Sequence, residues 1–498
     1  MIPADITTEF IVNGTAGAIP DVNFDIGESY AGLLPISDKA NETSELYFWF
    51  FPSENADASE EITIWLNGGP GCSSLEGFLQ ENGPISWQYG SAPFAVYNPW
   101  NWANLTNMVW VEQPVGTGFS QGTPTATSQE ESAAQFLGFF KNFIDTFGLT
   151  NRKVFIAGES YAGRYVPYIA DAMLQQNDTE YFDVKAIMIY DPSVAEDVIL
   201  EDIPAVPFVD RWAGLFNFNE SFTADIHARA DACGYTEYMD TYLQFPPPGK
   251  LPTPANSSKV EGCALWEDIF NAVFYTNPCF DVYAIATTCP LLWDVLGFPG
   301  SFDYLPAGEQ IYFNRTEVQK AINAPIQPWT ECSNGVLDTD TSPQSSWEVI
   351  PRLIDALDRT VIVHGELDYI LLYNGTLMTI QNMTWGGLQG FQDAPQDPFF
   401  VPYHDDISLT SLSAKGVMGV TKTERKLTWV SQALSGHMVP QYQPSSAYRQ
   451  LEFLLGRIDS LSSEAPFTTL PGSGSGKNET GYRKRDLGVM PVEFKKWY

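Results

Sequence analysis

The chain has 498 residues, with 26 Lys and Arg against 61 Asp and Glu, a formal net charge of −35 and only 4 His. Hydrophobic residues make up 44% and aromatics 14%, which suffices for a large core and excludes global disorder. So negative a chain does not bind nucleic acid by phosphate neutralisation, and no apolar run approaches the ~20 residues of a helical membrane span.

The first residues, Met1-Ile2-Pro3-Ala4-Asp5, are not a signal peptide, and the expectation is that one was removed upstream. Residues 62–66 read as a buried strand and run into Asn67-Gly68-Gly69-Pro70-Gly71-Cys72-Ser73-Ser74. A second strand is expected at 108–111 and a helix over 132–147. A third strand at 154–157 leads through Gly158-Glu159-Ser160-Tyr161-Ala162-Gly163 into a helix at 165–176, and a fourth strand follows at 186–190. Two late strands are expected at 360–363 and 427–430. Short continuous apolar runs alternating with helices predict an α/β fold around a mostly parallel central sheet. The middle of the chain lacks that alternation and holds four of the six Cys. Residues 1–195 and 307–464 are therefore expected to form two parts of one core, with 196–306 as a cap, or insertion, stapled by disulfides. Residues 465–498, rich in Gly and Ser and then basic, read as a flexible tail.

The strand–turn–helix around Ser160 has the form of a nucleophile elbow, in which a tight turn lifts a hydroxyl clear of the sheet. Ala162 stands where the generic motif has its last Gly. A serine hydroxyl needs a base beside it, and elbow hydrolases carry Ser, acid and His in that chain order. His437 follows the last expected strand and is the candidate base, with His404 as the fallback. His227 falls in the insertion, and His364 begins the turn where the acid belongs. In that turn both Glu366 and Asp368 are candidates, and periodicity does not choose between them. The glycine loop at 67–74 suits an oxyanion hole, because glycines let backbone N–H groups approach a developing charge. A phosphate loop is the weaker reading, since no Gly-Lys-Ser/Thr ending follows.

Three motifs together resemble the serine carboxypeptidase family: Trp65-Leu66-Asn67-Gly68-Gly69-Pro70-Gly71-Cys72-Ser73-Ser74, Gly158-Glu159-Ser160-Tyr161-Ala162-Gly163-Arg164-Tyr165-Val166-Pro167 and Gly436-His437-Met438-Val439-Pro440. The resemblance runs from about Tyr47 to Leu455. It implies an α/β-hydrolase fold and an exopeptidase that removes one residue from a peptide C-terminus, best at acidic pH. By that resemblance Ser160 is the nucleophile, Asp368 the acid and His437 the base. The backbone N–H groups of Gly69 and Tyr161 are the oxyanion donors, and Asn67, Glu81 and Glu159 grip the substrate carboxylate. Asp368 is preferred to Glu366 because the family's acid precedes an aromatic residue and Ile. Trp65 is expected to fix the carboxylate network and, with Met438 and Leu371, to lie at the substrate pocket. Leu371 stands where some members carry Cys. The resemblance also implies a Cys72–Cys332 bridge. Cys233, Cys263, Cys279 and Cys289 then allow three pairings.

Two carboxyl groups packed together and facing a third from the substrate do not all ionise, so one of Glu81 and Glu159 is expected to stay protonated at low pH and donate to the substrate. Six Cys without paired CxxC spacing favour disulfides over zinc. Ten N-x-S/T sequons, at Asn13, Asn41, Asn104, Asn177, Asn219, Asn256, Asn314, Asn374, Asn382 and Asn478, add to the expectation of a glycoprotein that is secreted or vacuolar. No cofactor or metal is indicated. The expected partners are peptide or protein C-termini, and the expected state is a monomer or homodimer. The rival readings are an acyltransferase or lyase on the same fold and a catalytically inactive binding glycoprotein. The intact carboxylate-binding set and triad speak against both.

Overall fold

Apolar runs decide the centre of this molecule. The computed structural model describes residues 8–87, 95–290, 292–297, 310–406 and 413–469. The sequon at Asn478 and nearly all of the expected tail lie outside the described residues. Eleven described strands form one sheet. They are β1 (Ile11–Val12), β2 (Ser29–Pro35), β3 (Glu45–Phe51), β4 (Glu61–Leu66), β5 (Met108–Glu112) and β6 (Lys153–Glu159). The remainder are β7 (Asp183–Tyr190), β8 (Arg359–Gly365), β9 (Asp397–Val401), β10 (Gly416–Glu424) and β11 (Leu427–Gln432). The order across the sheet is β1-β2-β3-β5-β4-β6-β7-β8-β11-β10-β9. All six runs expected from the sequence lie in β4 to β8 and β11. These strands are neighbours, and every pairing among them is parallel. Antiparallel strands close both edges, β3, β2 and β1 on one side and β10 and β9 on the other.

Both faces of the central strands are covered, so their residues alternate between two cores. Ile64, Leu66, Val154 and Ile156 join one apolar cluster, while Trp65, Phe155 and Ala157 join the other. Helix α1 (Gln129–Phe147) covers the first face. It starts at Ser128, whose side chain accepts the Glu131 N–H at 3.2 Å, and stops at Gly148 in the left-handed conformation. Its Phe136, Phe139, Phe140, Phe143 and Phe147 recur at helical spacing and are all buried. Phe143 meets Phe48 of β3 edge-on at 5.4 Å. Helix α2 (Ala162–Gln175) follows the elbow and packs on the same face.

Among the described residues no strand interrupts 191–358, apart from an isolated bridge between Cys72 and Cys332. Helices α3 (Ile203–Arg211), α4 (Glu220–Cys233), α5 (Tyr235–Tyr242) and α6 (Leu265–Val273) build a core of their own, with Phe208, Phe216, Ile226 and Ile269 inside it. That core also takes in Tyr369, Leu371 and Leu372, which follow β8. The pairings left open by spacing are Cys233–Cys263 and Cys279–Cys289, beside Cys72–Cys332. No described helix is long and apolar enough to cross a membrane.

Candidate active site

Ser160 sits immediately after β6 with a φ of 60°, a left-handed conformation that a non-glycine residue adopts only when the surroundings hold it. Its N–H donates to Tyr190 O at 3.0 Å, and its carbonyl accepts from Gly163 at 2.9 Å and Ser193 at 3.0 Å. These bonds to the neighbouring strand end and to the start of α2 hold the turn. Gly68 lies against the elbow so closely that a Cβ would come within 2.5 Å of Tyr161 N and 2.8 Å of Ser160 Cβ. Only glycine fits there, and the loop after β4 therefore abuts the residues that follow β6.

The candidate acid and base come from the ends of β8 and β11. Asp368 Oδ1 accepts the N–H groups of Ile370 at 2.8 Å and Leu371 at 3.3 Å. That leaves Oδ2 for His437 Nδ1, at 2.7 Å. Both residues are buried. Burial disfavours the charge of each, but each favours the other's. Asp368 is held below the ordinary carboxylate range by His437 and His364, and His437 is held above the ordinary imidazole value by Asp368, Glu159 and Asp281. Glu366, the other acid that the sequence left open, turns away to Arg211 Nη2 at 2.7 Å and to the Ser431 hydroxyl at 2.6 Å. His404 hydrogen-bonds Ala414 O at 3.0 Å and packs on Trp100, while His227 pairs with Asp210 in the exposed helical region. Ser160 and His437 line one cavity of about 420 Å³, and His437 Nε2 has no hydrogen-bond partner among the described residues.

Asn67 lines the same cavity. Its carbonyl accepts from Trp65 Nε1 at 2.8 Å and from the Gly77 N–H at 3.2 Å. The amide orientation is thereby fixed, with Nδ2 turned to carboxylates. Nδ2 donates to Glu159 Oε1 at 3.0 Å and Glu81 Oε1 at 3.3 Å, and it also bonds Glu76 Oε2. The oxygens of Glu76, Glu81 and Glu159 lie within 4.8 Å of one another, and all three side chains are buried. Burial first, and then mutual repulsion, pushes Glu76 and Glu81 well above the ordinary carboxylate range; burial pushes Glu159 up to about 7.

The structure thus brings together Asn67, Gly69, Glu159, Ser160, His437 and Met438 along one cavity, with Asp368 behind His437 and Glu81 behind Glu159. Two residues expected at the pocket are elsewhere. Trp65 is buried beneath Asn67, and Leu371 is buried in the core of the helical region, because the loop wraps Asp368 Oδ1 and turns Ile370 rather than Leu371 to the cavity. Sequence reasoning missed Glu76, which looks like any acid in a first helical turn. It also missed Tyr283, which lies between α6 and β8. Tyr283 O accepts the His437 N–H at 2.7 Å, and its ring lies 5.3 Å from the imidazole. His364, read from the sequence only as the start of the acid's turn, has its Nε2 3.5 Å from Asp368 Oδ2 and 3.4 Å from Asp191 Oδ1 while bonding Leu371 O at 2.7 Å.

Residues 20–456 match the serine carboxypeptidase family. The chain belongs to that family. It is 61% identical over 469 residues to a probable serine carboxypeptidase of Arthroderma benhamiae, covering 92% of this chain and 88% of the relative. Serine-type carboxypeptidase F of Aspergillus niger is 48% identical over 463 residues, covering 89% and 87%. Among solved structures, the prohormone-processing carboxypeptidase KEX1(delta)P of Saccharomyces cerevisiae superposes with a TM-score of 0.69. The match covers 92% of this chain and 98% of that one at 22% identity, and it shows the shared α/β-hydrolase fold. This serine carboxypeptidase carries all three motifs of its family on the strand ends that surround the cavity.

Proposed function

We propose that Ser160, Asp368 and His437 are the nucleophile, orienting acid and base of a carboxypeptidase that releases single residues from peptide C-termini and works best at acidic pH. One observation carries this reading: the cavity that Ser160 and His437 line ends at an amide and buried carboxyl groups, Asn67 with Glu76 and Glu159. A protonated carboxyl and an amide N–H are the donors that a terminal carboxylate needs, and they line the same cavity as the nucleophile.

The substrate's carboxylate accepts from Asn67 Nδ2 and from a protonated Glu159, which sets the last peptide bond beside Ser160. Ser160 Oγ gives its proton to His437 Nε2 as it bonds the carbonyl carbon. The carbonyl oxygen takes up the electron pair and is held by the N–H groups of Gly69 and Tyr161. The tetrahedral adduct collapses, the C–N bond breaks, and His437 hands its proton to the leaving amine. Water then gives a proton to His437 and bonds the acyl carbon. The ester C–O bond breaks, and Ser160 Oγ recovers the proton. Asp368 holds the imidazole tautomer and stabilises its cationic form throughout.

The family and the three disulfides fit a protein of an oxidising compartment, and we take secretion or vacuolar delivery as its route. The exposed Asn13, Asn41 and Asn219 are the sequons best placed to carry glycans, while the exposed Asn177 gives its amide to Gln175 O at 3.1 Å. Asn256 and Asn314 spend their amides on Cys233 O at 3.0 Å and Trp329 O at 2.7 Å. Residues 196–306 are read as a cap that supplies Tyr283 to the site. A mass-spectrometric time course on one peptide with a free and with an amidated C-terminus tests the reading. A ladder of products shortened by one residue each, formed much faster from the free acid, is expected. Internal cleavage, or equal rates on both, would contradict it.

A further inference from the structure

Asn67 faces three carboxyl groups where the recognition of a substrate carboxylate needs two. Its Nδ2 carries two hydrogens, yet Glu76 Oε2, Glu159 Oε1 and Glu81 Oε1 all lie within its reach. Its carbonyl is already committed to Trp65 and Gly77, so the amide cannot flip to relieve the excess. Three acceptors compete for two donors before any substrate arrives. Glu76 is also the acid that lines the cavity beside Glu159 and Asn67, whereas Glu81 does not line it. A substrate carboxylate would therefore meet Glu76 directly.

We propose that Glu76 is a third member of the carboxylate grip, a positioning residue whose protonated form leaves an Asn67 N–H to the substrate and whose ionised form takes that N–H back. This rests on the carboxypeptidase reading of the site. Glu81 and Glu159 flank Glu76, Asp294 and Tyr283 face it from the segments packed over it, and His437 beside Glu159 supplies the opposing charge. Burial, and then the charges of Glu159 and Asp294, keep Glu76 protonated well above the ordinary range. Two protons are then needed for tight binding, one on Glu76 and one shared by Glu81 and Glu159. Losing the first costs binding by repulsion. Losing the second removes donors as well.

The test is KM against pH, between about pH 5 and pH 8, for an N-blocked dipeptide and an N-blocked amino-acid ester. Wild type, Glu76→Gln and Glu76→Asp are compared. Each essential proton lost raises KM by about tenfold per pH unit. The wild-type peptide KM should steepen toward about a hundredfold per pH unit, Glu76→Gln should stay near tenfold, and Glu76→Asp should keep the steep limb. If Glu76→Gln does not fold, Glu76→Ser removes the same proton. A purely structural effect would displace the peptide and ester profiles in parallel, whereas the proposed one changes the slope for the peptide alone. A rising wild-type profile matched in slope by Glu76→Gln overturns the role of Glu76 and leaves the carboxypeptidase reading standing. A wild-type peptide KM flat in pH overturns both.

Discussion

Asp368 and His437 make one hydrogen bond on which the proposed chemistry turns, and its geometry says what a single atom exchange would do. Asp368→Asn keeps the shape but can donate where Oδ2 accepts, which favours the wrong imidazole tautomer. A loss of kcat on the order of 10³–10⁴ is expected, with little change in KM, measurable on any N-blocked dipeptide. The pH dependence has two limbs of opposite sign. His437 must be neutral to act as base, and its pKa is raised, so carboxylate-free esters should be turned over faster as pH rises through that value. Peptides also need the protonated carboxyl groups, so their KM should rise over the same range, and their optimum should lie on the acid side of the ester optimum. A common optimum for both would contradict this.

At the same scale, the proposed nucleophile and base stood out in the sequence because their positions carry topology: a serine between strand and helix, and a histidine after the last strand. The acid was legible only as a choice of two. Backbone donors favour Asp368, since the N–H groups it collects belong to a turn whose shape no periodicity encodes. Glu76 was not legible at all. Its meaning lies in Asn67 and Glu159, the latter 83 positions away along the chain (159 − 76).

The short π-turn Gly77–Glu81 after β4 acts as the clamp of the site. A Cβ on Gly77 would fall 2.2 Å from Trp65 Nε1 and 2.7 Å from Asn67 Oδ1. Gly77→Ala must push this indole or this amide aside. It should raise KM for peptides more than it lowers kcat for esters, and cost on the order of 1–3 kcal/mol of stability. An unchanged peptide KM would show that Asn67 is not held this way. Among elements, the six central strands were legible because burial on both faces leaves continuous apolar runs. Strands β2 and β10 were not. The Ser29–Pro35 run is broken by a glycine, and Gly416–Glu424 is only partly buried, so neither shows a continuous run or a clean alternation. The aromatic run of β3, Leu46 to Phe51, carries a strand signal, although β3 is not among the strands expected from the sequence.

At the scale of the whole molecule, buried acids outnumber buried bases among the described residues. Burial above all raises Glu61, Glu112 and Glu159 to about 7, Glu201 to about 8, and Asp202 and Asp281 to about 6. Each is thus a weaker acid folded than unfolded. The folded chain holds more protons above roughly pH 4, and stability falls as pH rises from there toward about 8. Repulsion within a chain of net charge −35 acts in the same direction. The melting temperature should therefore be several degrees higher near pH 5 than near pH 8 (about 3 pH units). A melting temperature that climbs across that interval would contradict the burial of these acids. The composition gave notice of this acidity but not of its burial, which depends on how loops of distant origin close over the sheet.

The most direct measurement is the release of free amino acids from N-blocked dipeptides at about pH 4.5 and about pH 7.5, for wild type and Ser160→Ala. Release is expected from the wild type, stronger at the lower pH, and absent from the Ser160→Ala variant at both. Release that survives in folded Ser160→Ala, or a folded wild type that releases nothing at either pH, would contradict the assignment of Ser160 as the nucleophile of a carboxypeptidase.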